Sequence, residues 1–241
     1  GIERYKLILG GDHLGPNPWK HLSASKAMQN AQVMVKDYVQ AGFTKIHLDA
    51  SMPCKGENTL SFEEVARRTS ELCMVAEKYA PDLDSICYVI GTEVPIPGGE
   101  TETIDTLQVT SPERLDRTIE THMQAFKEKN LQAALSRIVS VVVQPGVDFS
   151  HTAVTQYSKS SAKKLVDQLS KYKDITFEAH STDYQQTTGL ANLVADHHLF
   201  LKVGPELTFA LREALFLLSK IEDELFKDKA SNLIQVVFKT M

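Results

Sequence analysis

The feature that most constrains the fold is a sixfold alternation of short apolar runs with segments of helical periodicity. None of the runs contains an internal proline, and they span residues 5–9, 45–49, 86–93, 137–144, 175–180 and 198–203. Repeats of this kind are typical of βα units, in which each crossover helix returns the chain to the same end of the sheet. The sequence therefore predicts an α/β fold with a parallel sheet.

The segments between the runs carry helix signals. In the first segment apolar residues recur every three or four positions and stop before Gly42, a common type of C-cap. Ser61 with Glu64 forms a capping-box pattern, and Ser111 followed by Pro112 marks another helix start. Three further helices are predicted, and the last has the strongest apolar stripe. They lie around residues 165–169, 189–196 and 207–225.

Glycine spacing decides between an open nucleotide-binding sheet and a barrel. The segments GGDHLG and PGGE match neither the dinucleotide-binding nor the P-loop pattern, so a TIM-type (β/α)8 barrel is favoured. Such a barrel needs about eight strands in roughly 250 residues, whereas the 241 residues carry six predicted strands. We therefore expect residues 1–241 to form a single barrel domain that lacks the first two βα units of a longer chain.

Composition excludes several classes of protein. With 26 basic and 31 acidic residues the net charge is −5, which disfavours a nucleic acid as partner. No apolar run is long enough to span a bilayer, and charges stand where a signal peptide has its apolar core, so we expect a cytoplasmic protein without membrane contact. Cys54, Cys73 and Cys87 lack CxxC spacing, which argues against disulfides and a cysteine zinc site.

Polar side chains gather near the carboxyl ends of the predicted strands. Alternation places His47 and Asp49 on one face of the second strand, and Glu178 and His180 on one face of the fifth. Since both faces of a barrel strand are buried, we expect these polar faces to point to the barrel axis. Barrel enzymes place their chemistry at this rim. The other strands also end in polar residues: Asp12 and His13, Thr92 and Glu93, Gln144, and Lys202.

The residue types at this rim suggest a divalent metal site. His13 and His180 are the nitrogen ligands, and Glu93 and Gln144 are candidate oxygen donors for zinc or another transition metal. Asp12 would transfer a proton while the ion polarises a ketose carbonyl. Simpler interpretations stay open. A lone buried histidine is commonly a hydrogen-bonded core residue, Glu93 could be a solvated loop residue, and Gln144 could cap a neighbouring backbone.

Six blocks of the sequence, taken together, closely resemble one protein family. The blocks are GGDHLGPN at residues 10–17, KIHLDASMPC at 45–54, YVIGTEVPIPGG at 88–99, VVVQPGVDF at 141–149, FEAHSTDYQ at 177–185 and LKVGPELTFALREALF at 201–216. The family is the non-catalytic subunit of class II D-tagatose-1,6-bisphosphate aldolase, members of which have also been described as tagatose 6-phosphate kinases. The resemblance implies a barrel related to the class II aldolases. Because the family's chains are longer at both ends, it also supports a partial barrel.

The resemblance implies roles for single residues. Asp12 and His13 resemble the proton-transfer acid and a metal ligand of the class II aldolases, and His180 resembles a second zinc-binding histidine. Glu93, with residues 97–99, resembles their glutamate and Gly-Gly segment after the fifth strand, whereas Gln144 stands where a histidine is expected, and a carboxamide is a poorer zinc ligand. Residues 181–184 replace the glycine-rich phosphate-binding loop that follows the seventh strand of the class II aldolases. The candidate substrate-binding residues are Asp49, Ser51, Asp183, Lys202 and Gly204.

Two functions from different classes follow. The resemblance implies an auxiliary subunit in galactitol and tagatose phosphate catabolism that supports the activity and stability of a catalytic class II aldolase subunit. It also implies a sugar phosphate ligand and an oligomer. The alternative is an enzyme, a metal-dependent 4-epimerase that acts on tagatose 6-phosphate by retro-aldol cleavage and re-addition. A kinase is least favoured, because the sequence contains no P-loop or kinase loop to hold ATP phosphates.

Overall fold

A single parallel sheet of six strands organises the chain. The computed structural model describes residues 3, 6–92, 107–227 and 230–240. Neighbouring strands in the sheet follow one another in chain order, apart from a small antiparallel ribbon inserted between the fourth and fifth. The sheet strands are β1 (Gly10–Leu14), β2 (Lys45–Leu48), β3 (Cys87–Ile90), β4 (Ile138–Val143), β7 (Thr176–Ala179) and β8 (His198–Leu201), and the ribbon is β5 (Asp148–Phe149) with β6 (Val154–Thr155).

The sheet curls into an incomplete barrel. Within the described residues β1 and β8 are its two edges, and no strand pairing joins them. Their carboxyl ends nevertheless meet, since the Nζ atom of Lys202, just after β8, lies 3.0 Å from Nε2 of His13 in β1. A flat sheet would hold these strands far apart. The predicted α/β barrel class is therefore confirmed as a partial barrel of parallel strands.

The predicted helices are present, and four of them bury apolar side chains against the sheet. Ser61 and Ser111 cap their helices, since each hydroxyl accepts a hydrogen bond from the backbone N–H three residues later, at 3.2 Å in both cases. The helices α4 and α8, and a 3-10 turn at Asn17–Trp19, were not predicted. The α-helices are α1 (Ala24–Gln40), α2 (Phe62–Tyr79), α3 (Pro112–Glu128), α4 (Gln132–Leu135), α5 (Lys159–Leu169), α6 (Thr187–Ala195), α7 (Pro205–Phe226) and α8 (Leu233–Thr240).

The main core lies between the sheet and its outer helices. Ile46 and Leu48 of β2 and Phe177 of β7 join a buried cluster with side chains of α1, α2, α3 and α5. Full burial of such a side chain contributes about 1.5–3 kcal/mol. This placement confirms the alternation predicted for these two strands. Their apolar residues face the helices, so their polar residues face the barrel axis.

The first strand was wrongly predicted at residues 5–9. Leu7, Ile8 and Leu9 are more than half exposed, and the strand begins at Gly10, which pairs with Lys45 of β2. An apolar run is a poor marker here because a glycine starts the true strand. At Gly11 a Cβ atom would lie 2.8 Å from the ring of Tyr38 in α1, so glycine allows the helix to pack closely. Because the strand begins at Gly10 rather than at residue 5, Asp12 and His13 lie within β1.

Candidate functional site

Four side chains converge at the carboxyl ends of the strands. Asp12 and His13 come from β1, His47 from β2, and His180 directly follows β7. Each offers a metal-ligating atom, and these atoms all lie within 4.8 Å of one another. The His13 ring centroid is 5.0 Å from that of His47 and 5.0 Å from that of His180. The structure thus brings together Asp12, His13 and His180, as the sequence analysis expects, and adds His47.

His13 is held in a strained and specific orientation. Its backbone φ of 49° lies in the left-handed region, which is uncommon for residues other than glycine. Its Nδ1 lies 3.0 Å from Oδ2 of Asp49 and donates to that carboxylate, so Nε2 keeps its lone pair. Burial alone would raise the pKa of Asp49, but the hydrogen bond from His13 and the nearby His47 hold that pKa well below its usual range. Asp49 therefore orients an imidazole.

His47 is fully buried and orients Asp12. Its Nε2 donates to the carbonyl oxygen of Gly91 at 2.9 Å, and its Nδ1 lies 2.8 Å from Oδ1 of Asp12. Burial alone would lower the pKa of His47, but the hydrogen bond to Asp12 and the surrounding carboxylates raise it above its ordinary value. Sequence analysis places this side chain on the axis face without proposing a role. A histidine on the polar face of an otherwise buried strand is the signal that could have found it.

Glu178 and Lys45 form a buried ion pair that sequence analysis did not select. Glu178 Oε2 lies 2.6 Å from Nζ of Lys45, and Oε1 lies 2.9 Å from Nε2 of His180. Burial would raise the pKa of Glu178, but its hydrogen bond with His180 and the charges of His47 and Lys45 lower it to about 2. Burial lowers the pKa of His180 to about 4, so this imidazole is neutral at neutral pH.

Lys202 lies in the middle of the converging groups. Its Nζ forms an ion pair with Asp12 Oδ2, lies 3.0 Å from His13 Nε2 and lies 3.1 Å from His180 Nε2. The backbone of Lys202 is fixed beside β7, because its N–H donates to Ala179 and its carbonyl accepts from the backbone N–H and the hydroxyl of Thr182. Substrate binding by Lys202 stays a prediction, whereas its contacts within the chain are defined.

Gln144 and Ser51 make local contacts at the rim. The side-chain oxygen of Gln144 accepts the backbone N–H groups of Gly146 at 2.8 Å and Val147 at 3.0 Å. This is the backbone-capping arrangement that the sequence left open, and a metal-ligand role for Gln144 stays a prediction. The backbone N–H of Ser51 donates to Asp49 at 3.0 Å. Glu93, the other predicted oxygen donor and catalytic residue, lies outside the described residues.

Asp183 links the rim to α7. Its Oδ1 accepts the N–H of Gly204 at 3.0 Å and that of Glu206 at 2.8 Å, and the Glu206 carboxylate accepts the N–H of Tyr184 in return. Helix N-termini at this end of a barrel commonly bind phosphate, because their free N–H groups attract anions. Here the Asp183 carboxylate accepts hydrogen bonds from two of these N–H groups. Substrate binding by Asp183 and Gly204 stays a prediction.

The donor chemistry of this site suits a borderline divalent metal. Imidazole nitrogen with carboxylate oxygen is a common set for zinc and other transition metals. Because both ring nitrogens of His47 already face oxygen acceptors, His13, His180 and Asp12 are the residues able to turn a lone pair to an ion. Three protein ligands with an open position are typical of catalytic rather than structural metal sites.

Comparison with known proteins identifies relatives over the whole chain. The family described as D-tagatose-1,6-bisphosphate aldolase subunit GatZ/KbaZ-like matches residues 1–241. A curated relative from Salmonella paratyphi B, named D-tagatose-1,6-bisphosphate aldolase subunit GatZ, is 48% identical over all of this chain and 58% of its own length. The chain thus spans somewhat more than half the length of the curated relatives that it matches.

Solved structures agree with this relationship and with the fold. The crystal structure of a probable tagatose 6 phosphate kinase from Sinorhizobium meliloti matches 93% of this chain and 54% of its own, with TM-score 0.82 and 47% identity. A fructose-bisphosphate aldolase from Campylobacter jejuni matches 91% of this chain and 57% of its own, with TM-score 0.55 and 15% identity, which shows a shared fold alone. Among the described residues no helix has the length and apolarity to cross a membrane.

Proposed function

Because this chain belongs to the GatZ/KbaZ-like family of D-tagatose-1,6-bisphosphate aldolase subunits, we propose that it acts as an auxiliary subunit in tagatose phosphate catabolism. In this proposal it raises the activity and stability of a catalytic class II aldolase subunit and cleaves no sugar bisphosphate alone. A subunit with this role needs the barrel framework and a surface for its partner. It does not need a working proton-transfer group.

The observation that carries this proposal is the state of Asp12. This residue resembles the proton-transfer acid of the catalytic relatives, but it is paired with His47 and Lys202. Burial would raise its pKa, yet the contacts with these two cations hold it well below the ordinary range. A carboxylate whose pKa is lowered in this way is a weaker base than an ordinary aspartate, and both of its oxygens are already engaged, one by His47 and the other by Lys202. Asp12 therefore supports an auxiliary rather than a catalytic role.

Reconstitution with a catalytic class II tagatose-bisphosphate aldolase tests the auxiliary role. We expect no cleavage of tagatose 1,6-bisphosphate by this protein alone. We also expect a higher cleavage rate and a higher thermal midpoint when the two proteins are mixed. A matched control replaces this protein with the same concentration of an unrelated barrel protein. An unchanged rate and an unchanged thermal midpoint in the mixture would refute the proposal.

The four-residue cluster favours a second candidate, a metal-dependent 4-epimerase of tagatose 6-phosphate. His13, His180 and Asp12 would hold a zinc or other transition metal ion, with His47 orienting Asp12 and Asp49 orienting His13. When bound, such an ion supplies Lewis-acid polarisation of a ketose carbonyl. Lys202 would place a positive charge beside the sugar phosphate. NMR detection of C4 exchange, with metal analysis, separates this candidate from the first, since the auxiliary proposal predicts no exchange.

We also propose that the open parts of the barrel are covered in the longer protein. The edges β1 and β8 and the outer face of α7 would pack against further βα units of one barrel domain, and the complete protein would form oligomers in the cytoplasm. The support is the outer face of α7, defined as its exposed apolar side chains, because exposed apolar patches mark interaction surfaces. These side chains are Leu207, Phe209, Leu211, Leu215, Leu217, Leu218, Ile221, Leu225 and Phe226. Light scattering on the longer protein tests the oligomer. A monomer at all concentrations would refute it.

A further inference from the structure

We propose that the ammonium group of Lys202 is an internal cation that occupies the metal position of this cluster and competes with a divalent ion for it. The inference concerns the site of the second candidate function, and it rests on the metal-ligating capacity proposed there for His13, His180 and Asp12. It assigns Lys202 a role in the protein itself, in addition to any contact with substrate. Metal binding then requires the Lys202 side chain to leave.

His13 already has the geometry of a metal-ligating histidine. Metal-ligating histidines typically donate one ring N–H to a carboxylate and direct the other nitrogen to the ion. His13 has this arrangement, with Nδ1 on Asp49 at 3.0 Å and Nε2 directed to a cation. The cation is the ammonium of Lys202, at 3.0 Å from Nε2. The second ligand and the carboxylate, His180 and Asp12, contact the same ammonium.

Distances make the two cations mutually exclusive. A zinc ion bound to His13 and His180 would lie about 2.0–2.1 Å from their nitrogens. Because His180 Nε2 donates to Glu178, its ligating nitrogen is Nδ1. The Lys202 nitrogen lies 3.0 Å from His13 Nε2 and 3.5 Å from His180 Nδ1, so both cations cannot share the space between these two atoms. The backbone of Lys202 is hydrogen-bonded on both sides to the β7 region. Rotation of the side chain, rather than movement of the strand, must therefore clear the position.

The charge of the cluster leads to the same conclusion. Lys202 forms an ion pair with Asp12, and Lys45 forms one with Glu178 beside it. A divalent ion next to Lys202 would place two cations side by side at a half-buried site, where their repulsion is unfavourable. Departure of the ammonium removes one of these charges and frees the Asp12 oxygen.

Cobalt binding tests the proposal without any enzyme assay. Co(II) is titrated into the wild-type protein and Lys202→Met, and the visible absorption of imidazole-bound cobalt gives the dissociation constant. We expect Lys202→Met to bind Co(II) about tenfold or more tightly, which corresponds to about 1.4 kcal/mol. Lys202→Arg, which keeps the charge, should bind no more tightly than wild type. The matched control is Lys159→Met, which removes a lysine paired with Asp196 at 2.6 Å outside the cluster and should leave cobalt affinity unchanged.

The outcomes separate failure of the proposal from failure of the site. Equal Co(II) affinity in wild type and Lys202→Met would show that lysine does not compete, which overturns the inference while the metal site stands. No Co(II) binding by either protein would overturn both the inference and the second candidate function, leaving the auxiliary role to the reconstitution assay. Tight binding that survives His180→Ala in the Lys202→Met background would place the ion elsewhere and refute the inference. Circular dichroism checks folding, and Lys202→Gln replaces any variant that fails to fold.

Discussion

The rim cluster and the outer face of α7 invert the usual distribution of polar and apolar side chains. At the rim, His47 and Glu178 are completely buried, and each polar group contacts another of opposite charge or a backbone atom. On α7, Ser219 is buried while most of the large apolar side chains are exposed, seven of them by more than half. The polar groups of the rim find their partners within the chain, whereas the apolar side chains of α7 are not covered by the described residues.

This difference shows which part of the molecule is self-sufficient. Buried charges are tolerated only when they are paired, so the rim network can form only in the curled sheet that brings its strand ends together. The exposed leucines of α7 gain little by folding of this chain, because they remain in water. We therefore expect substitutions at the rim to change stability strongly and substitutions on the face of α7 to change it little.

The largest effect is expected for Glu178→Gln. The amide loses the charge that compensates Lys45, whose Nζ lies 2.6 Å away and is nearly buried. Breaking a buried ion pair by removing one partner costs about 3–5 kcal/mol, because the other charge is left uncompensated. Urea unfolding measures the loss in free energy of unfolding.

Asp167→Asn is the matched control for Glu178→Gln. Asp167 pairs with Lys163 at 2.9 Å on the surface of α5, where both side chains are well exposed. Such a surface pair contributes about 0–1 kcal/mol. Equal losses in the two variants would contradict the assignment of a buried, interdependent network to the rim.

Acidification should destabilise the protein through its buried neutral histidines. Burial lowers the pKa of His122 on α3 to about 4 from its ordinary 6.5, so the unfolded chain binds the proton first and stability falls as pH drops from 6.5 towards 4. The contribution of His122 is on the order of 3 kcal/mol. His122→Gln should flatten the pH dependence of the unfolding free energy by this amount, whereas Leu218→Gln on α7 should leave the slope unchanged. An identical slope in His122→Gln would count against this assignment.

Asp183→Ala tests the attachment of α7 to the rim. The carboxylate accepts two N–H groups at the start of the helix, and loss of such a cap typically costs about 0.5–2 kcal/mol. Asp183→Asn keeps an acceptor oxygen and should recover part of the loss, as measured by urea unfolding. If Asp183→Ala and Asp183→Asn lowered the free energy of unfolding equally, the Asp183 side chain would not stabilise the start of α7 as a cap.

The fold was largely predictable from the sequence, and the site was predictable in part. Periodicity identified six of the eight described α-helices and five of the six sheet strands, but it missed β1 because glycines carry no apolar signal. Alternation placed His180 on the axis face, at the rim where the end of the first predicted strand also brings His13. It could not select Lys45 or predict that Lys202 reaches His13 across 189 positions, because those contacts depend on how far the sheet curls. Which charged side chains form pairs is decided by the curvature of the whole sheet rather than by any local sequence pattern.

The smallest effect is expected for Leu211→Gln, Leu215→Gln and Leu218→Gln combined on α7. These side chains are exposed, so their replacement should change the free energy of unfolding by about 0.5 kcal/mol or less while reducing the binding of a hydrophobic dye. Leu165→Ala in α5 is the buried counterpart and should cost about 2–5 kcal/mol. In the longer protein the same triple variant should become strongly destabilising, because further βα units would then cover the leucines. If the triple variant changed the free energy of unfolding little in both this chain and the longer protein, the outer face of α7 would be exposed in both. A partner subunit would then be the candidate to cover it.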